Sequence, residues 1–388
     1  MTVFLPKEIL PTSSFACGPS QMLQSIRNTP LWQTLSERNH RAKDITSDGL
    51  YKEAENNLRK LIHLPPHYKV IFFLGGATVA MEAVLWNLAE KKISGLSFGA
   101  FSKRWCEQLP QRMDSAVSLS IQTPKNGALF PEQMPDKDAD LILLTPNETA
   151  TGVQIPNDYL NKVWEMRGED TLVAWDATSC AGGRALPNDS FDVMLFGLQK
   201  CFGAGGGSCV VILSPKALER AEKIKRQRKI PFSFDLSEAA RYADLHQTFN
   251  TPSTTNIWLF NEACKWMLAN GAIEGMDRLC RMHAQFLEEW ALKSGYLMPL
   301  VEDKLFRSYT SYTLKITDPV LQANDINRAL AATGLFNLQD GIKAHPSAPE
   351  NSLRIACFPF VDPHGINEYE RLTKCVDYVV SQLKNNHR

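Results

Sequence analysis

The sequence predicts an α/β fold, with a mainly parallel sheet flanked by helices and a smaller C-terminal α+β unit. Three observations predict it. Apolar runs of strand length alternate with amphipathic helical runs from about residue 68 onward. Several apolar runs end in a polar or glycine-rich turn, where open parallel sheets hold their ligands. The alternation stops near residue 256, and two long helical stretches take its place.

The elements follow in order. Residues 68–74 read as a strand, and Gly75-Gly76-Ala77-Thr78 leads into helical spacing over 79–91. Residues 115–122 and 141–144 are further strands, and 159–166 suits a helix. The run 171–175 is a strand that ends in Asp176. The run 191–198 is a strand that ends in Gln199-Lys200. A glycine-rich turn, Gly203 to Gly207, separates it from the strand 208–213 and the helix 215–228. Strands alternating with helices in this way imply parallel strands covered on both faces. Beyond them lie helices over 256–270 and 273–293, a strand at 312–316, a helix at 325–333, a strand at 353–358 and a last helix at 366–384. We read residues 1–262 as a large domain and 263–388 as a small one, with the N-terminal segment packing near the latter.

Composition narrows the function. Among 388 residues, Lys plus Arg and Asp plus Glu each number 42, so no basic excess points to nucleic acid. No apolar run approaches the roughly 20 residues needed to cross a bilayer. The N-terminus lacks the charged-then-apolar plan of a signal peptide, so the cytoplasm is expected. The nine cysteines include no C-x-x-C pair, which favours buried, reduced thiols over a zinc or disulfide framework. No H-E-x-x-H or paired metal spacing occurs, so no metal is expected. The basic run over 223–229 reads as a solvated helix face.

Three strand ends carry the chemistry. Gly75-Gly76-Ala77-Thr78 opens a helix, whose free N–H groups and positive dipole end suit a phosphate. Asp176, at the end of an apolar strand, either caps the next turn or pairs with a pyridinium nitrogen and keeps that ring protonated. Lys200 follows a buried strand, and a desolvated lysine has a lowered pKa suited to Schiff-base chemistry. A cup, an acid and then a lysine on such ends is more specific than any one alone. The glycines after Lys200 do not make a dinucleotide loop. A strand follows them rather than a helix, and G-x-G-x-x-G is absent.

With these motifs in place, the chain resembles the phosphoserine aminotransferase family, within the class-V, fold type I pyridoxal-phosphate enzymes. It is nearer the divergent branch of that family. The resemblance runs from Phe15-Ala16-Cys17-Gly18-Pro19 to the last helix. Further motifs that carry it are His40-Arg41-Ala42-Lys43, Pro146-Asn147-Glu148-Thr149, Asp176-Ala177-Thr178-Ser179, Asn250-Thr251-Pro252 and Leu353-Arg354-Ile355. It implies that pyridoxal 5'-phosphate is held covalently by Lys200, which also shuttles the proton. Asp176 would bind the ring nitrogen, Thr149 the ring hydroxyl and Phe101 the ring face. Ala77, Thr78 and Gln199 would hold the cofactor phosphate. Asn250 and Thr251 would reach it from a second subunit, in a homodimer with shared active sites. Arg354 would grip the α-carboxylate of amino-acid and keto-acid substrates, and His40 and Arg41 the substrate phosphate.

The implied reaction is transamination between L-glutamate and 3-phosphohydroxypyruvate in serine biosynthesis. The sequence departs from the family at Gly341-Ile342-Lys343-Ala344-His345-Pro346. A second His-Arg pair is expected there, and Lys343 and His345 stand as substitutes. A glyoxylate-type class-V transaminase would keep Lys200, Asp176 and Arg354 without using His40 and Arg41 for phosphate. A non-catalytic relative that only binds a ligand would need no Schiff-base lysine.

Overall fold

The computed structural model describes residues 5–27, 29, 35, 37–113, 117–125, 127–331 and 351–386. In chain order its strands are β1 (Lys69–Leu74), β2 (Lys92–Leu96), β3 (Ser118–Gln122), β4 (Leu141–Leu144), β5 (Asn147–Glu148), β6 (Val153–Gln154), β7 (Leu172–Asp176), β8 (Val193–Gly197), β9 (Ser208–Leu213), β10 (Leu297–Pro299), β11 (Ser311–Ile316) and β12 (Ser352–Ala356). Seven of them form the main sheet in the order β1-β9-β8-β7-β4-β2-β3. Only β9 runs against its neighbours; β8, β7, β4, β2 and β3 pair in parallel.

Successive side chains of a strand point to opposite faces, so a sheet covered on both sides needs apolar residues at every position. β4, β7, β8 and β9 meet that demand and are buried throughout. Leu141, Leu143, Leu172, Ala174, Val193 and Leu195 face a layer containing the helices Ala77–Leu88, Pro215–Gln227 and Leu236–Ala243. Ile142, Leu144, Val173, Trp175, Met194 and Phe196 face the other layer, with the helices Leu50–Leu61, Asn157–Met166 and Thr254–Ala269. The last of these crosses position 263 and buries Ile257, Phe260 and Cys264 against the main sheet.

A third apolar cluster lies around the small antiparallel sheet β10-β11-β12, with the helices Ala272–Ser294, Ala323–Ala331 and Asn367–Asn386. The N-terminal segment joins this cluster through Phe15 and Cys17. Ala356 N–H donates to Phe15 O at 3.1 Å, and the Glu368 carboxylate accepts from the N–H groups of Thr12 and Ser13.

The expected strands and helices are present, with ends that differ by a few residues. Elements that were not anticipated include β2, β5, β6, β10 and the helices Leu50–Leu61 and Leu236–Ala243. The basic run over 223–229 is only partly a solvated face. Lys223 pairs with Glu90 and Lys225 with Asp235, while Arg228 turns inward. Its guanidinium donates to Trp86 O and Ala89 O at 2.6 and 2.8 Å, at the C-terminus of Ala77–Leu88. A cation there suits the negative end of the helix dipole. Among the described residues, no helix is long and apolar enough to cross a membrane.

Candidate active site

β7 and β8 lie side by side with Asp176 opposite Leu195, so the ends of both strands open on the same edge of the sheet. Asp176 is buried and accepts from the backbone N–H of Thr178 at 3.1 Å and from its hydroxyl. Burial pushes its carboxyl above the usual range, while the Thr178 bonds and the charges of Lys200 and Arg104 oppose that rise. Thr178 thus fixes the acid in one orientation, a role the sequence reading did not give it.

Lys200 stands in the turn after β8 and is also buried. Its ammonium donates to Cys17 O, in the strap of residues 15–21 that crosses above it. Gly18 in that strap has φ +126°, and a β-carbon there would lie 2.2 Å from Lys200 Nζ, so only glycine lets the strap pass so close. Burial holds the Lys200 pKa below the ordinary lysine value; Arg354 pushes the same way, and Cys17 and Asp176 push back. Lys200 Nζ lies 6.0 Å from the centroid of the Phe101 ring.

Phe101 is set by a buried carboxylate. Glu148, on β5, accepts from Phe101 N–H at 3.1 Å and from both the N–H and the hydroxyl of Ser102 at 2.8 Å. Its other oxygen accepts from Ala150 N–H at 3.0 Å. Gly99 is required here, because a β-carbon would lie 2.3 Å from Glu148 Cγ. Four donors answer a charge whose burial alone would raise its pKa. Glu148 belongs to a motif quoted from the sequence, but no pattern in the sequence reveals this clamp. Next to it, Thr149 O accepts from Arg354 Nη1 at 3.2 Å. Arg354 lies opposite Thr313 on the small sheet, so this bond ties the small sheet to the β5 turn.

Ala77 and Thr78 form the first turn of Ala77–Leu88, whose N-cap, Gly76, supplies no side-chain cap. A β-carbon at Gly76 would meet nothing within 4 Å, so the helix opens on free space. Arg104 Nη1 donates to Thr78 Oγ1 at 3.2 Å, and the guanidinium lies 5.7 Å from the Phe101 ring centroid. This arginine too was missed by sequence reasoning. Gln199 Oε1 is buried without a hydrogen-bond partner among the described residues, and so is Asn250 Oδ1.

The remaining expected residues lie elsewhere. Arg41 Nη1 donates to Gln247 Oε1 at 2.7 Å, and its guanidinium is 5.5 Å from the Tyr242 ring centroid. Among the described residues it pairs with no carboxylate. Burial and the Arg41 charge lower the pKa of His40. Thr251 is exposed, just before the helix Thr254–Ala269. No hydrogen bond joins His40, Arg41, Asn250 or Thr251 to Lys200, Asp176 or Arg354 among the described residues. Lys343 and His345 fall outside the described residues.

The donor set fits pyridoxal phosphate. A desolvated amine, a buried carboxylate on the next strand end and an aromatic face surround one space. An uncapped helix start with open room suits the phosphate.

The chain is similar to known proteins over nearly its whole length. The class-V aminotransferase family model matches residues 19–335. A phosphoserine aminotransferase of Rhodococcus opacus is 31% identical, over 98% of this chain and 99% of its own length. One from Corynebacterium glutamicum is 32% identical, over 97% and 96%. The crystal structure of a Cytophaga hutchinsonii phosphoserine aminotransferase superposes with a TM-score of 0.79 at 27% identity, covering 92% of this chain and 96% of that one. An alanine–glyoxylate aminotransferase from Nostoc is similar in fold alone, with a TM-score of 0.72 at 18% identity over 100% of this chain and 98% of that one.

Proposed function

The chain belongs to the class-V aminotransferases, and we propose that it moves an amino group from L-glutamate to 3-phosphohydroxypyruvate, giving O-phospho-L-serine and 2-oxoglutarate. The observation that carries the reading is Lys200, a buried amine facing Phe101 and set beside Asp176 on the neighbouring strand end. The full-length relatives named for the phosphoserine reaction support the substrate. So does Arg41, whose guanidinium pairs with a neutral amide and can still take an anion.

Lys200 would hold the cofactor, Asp176 its ring nitrogen, Thr149 its hydroxyl and Phe101 its ring face. Ala77, Thr78 and Gln199 would hold the phosphate, joined by Asn250 and Thr251 of a second subunit. When bound, pyridoxal phosphate supplies a conjugated ring that takes up the electron pair left when the Cα–H bond breaks. With the cofactor bound, Lys200 Nζ would take the proton from Cα and deliver it on the same face to the cofactor carbon that bears the amino group, which requires the neutral amine that burial favours. Arg354, oriented by its bond to Thr149 O, grips the α-carboxylate and leaves the Cα–H facing Lys200. His40 and Arg41 take the substrate phosphate. We read the protein as a cytoplasmic homodimer with shared sites; its nine buried, unpaired cysteines suit a reducing compartment.

The test is the visible spectrum of the cofactor-loaded protein on adding L-phosphoserine with no keto acid. The band is expected to vanish as the cofactor takes the amino group. Arg41→Ala is expected to raise the KM for phosphoserine by roughly tenfold or more, the loss of a charge-assisted contact. A band that ignores phosphoserine but responds to alanine or serine would leave the cofactor in place and overturn the substrate.

A further inference from the structure

The groups assigned to the cofactor phosphate share one property: none of them is charged. Ala77 and Thr78 offer backbone N–H groups, Gln199 and Asn250 amides, and Thr251 a hydroxyl. A phosphate ester carries roughly −1.5 to −2 charges near neutral pH, whereas a helix N-terminus contributes only about +0.5. A buried anion with so little opposing charge is costly.

We propose that Arg104 supplies the missing charge and is a cofactor-phosphate ligand of this chain. The proposal rests on the cofactor reading given above. Arg104 Nη1 lies 3.2 Å from Thr78 Oγ1, in the first turn of the helix that forms the cup. Its guanidinium lies 5.7 Å from the centroid of Phe101, the aromatic assigned to the ring face. It therefore sits where the phosphate end of a ring held against Phe101 meets the helix start.

The backbone is built to send it there. The short helix Ala100–Lys103 widens at Arg104–Gln108 into a π turn, closed by Leu109 N–H on Arg104 O at 3.0 Å. Such turns are rare in helices and frequent at functional sites. Trp105 and Cys106 are fully buried and anchor the turn from behind. The acid within the turn, Glu107, is held by the Ser97 hydroxyl. Arg104 forms no ion pair among the described residues. A guanidinium presents several N–H donors in a plane, and one bond to Thr78 leaves others for phosphate oxygens.

The experiment titrates the full-length chain, freed of cofactor, with pyridoxal phosphate and separately with pyridoxal, which lacks the phosphate. The Lys200 absorbance band reports binding of both. Arg104→Gln is expected to weaken pyridoxal phosphate by roughly tenfold to a hundredfold. It should leave pyridoxal within about twofold of wild type, since the lost contact is to the phosphate. Arg104→Lys should recover most of the loss, because it restores the charge without the fork. Equal weakening of both ligands would show that Arg104 only shapes the pocket, and would overturn the proposal. So would unchanged affinity for both. If the wild-type chain forms no band with pyridoxal phosphate, the cofactor reading fails and this proposal with it.

Discussion

At the scale of single residues, the site depends on what burial does to Lys200. An amine out of water disfavours its charged form, and the Arg354 cation adds to that, so the pKa falls below 10.5 despite Cys17 and Asp176. The neutral amine is the form that attacks a carbonyl. The rate at which the cofactor-free chain captures pyridoxal phosphate should therefore rise with pH around a midpoint below 10.5. Linkage gives the same sign in stability. Between the folded and unfolded pKa values the unfolded chain binds more protons at this site, so stability rises with pH across that window. The gain is complete once pH passes the unfolded value. Urea unfolding at several pH values should show this slope in the cofactor-free protein and lose it in Lys200→Met. A capture midpoint at or above 10.5 would mean that Lys200 is solvated and that its burial does not activate it.

At the scale of elements, the turn before Ala77–Leu88 separates folding from binding. Gly75 has φ +78°, and a β-carbon there would lie 2.6 Å from Val79 Cγ2. Gly75→Ala meets both backbone strain and a clash, and should cost about 1–3 kcal/mol. Gly76 has φ −79° and open space beyond it, so Gly76→Ala should cost less than about 1 kcal/mol as a poorer N-cap. Its methyl group would instead crowd the phosphate, so cofactor affinity should fall where stability holds. Denaturant midpoints and cofactor titrations of both variants check this; equal stability losses would refute the assignment of the open space to a ligand. This turn was legible in the sequence because glycines, a strand and helical spacing met at one point. β7, β8 and β9 were legible because a sheet buried on both faces leaves continuous apolar runs. β2 was not. Its sequence, Lys-Ile-Ser-Gly-Leu, breaks the run twice, for reasons found only in the packing. Ser94 Oγ donates to Ser120 O at 2.8 Å, and a β-carbon on Gly95 would lie 2.6 Å from Cys106 Sγ. Glu148 and Arg104 escaped for a related reason. Each acts on residues far from it in the chain, and no local period records a contact across 46 positions or 26.

At the scale of the whole molecule, the functional residues fall into two groups. Lys200, Asp176, Thr149 and Arg354 gather where the main sheet meets the small one. Arg41, next to His40 in the chain, is tied to Tyr242 and Gln247, on the stretch that continues to Asn250 and Thr251. Under the proposed homodimer, one chain would carry both groups without joining them. In a dimer with an isologous interface, each subunit gives its second group to the partner's first. This arrangement predicts complementation. Assayed with phosphoserine well below the wild-type KM, Lys200→Ala homodimers should be inactive and Arg41→Ala homodimers should keep about a tenth of wild-type activity or less. After subunit exchange, a mixed dimer pairs an intact Lys200 from one chain with an intact Arg41 from the other, giving one competent site. With random exchange of equal amounts, half the dimers are mixed and half their sites are competent, so activity should return to about a quarter of wild type. If Arg41 instead serves the Lys200 of its own chain, every site in the mixture carries at least one lesion, and mixing restores nothing.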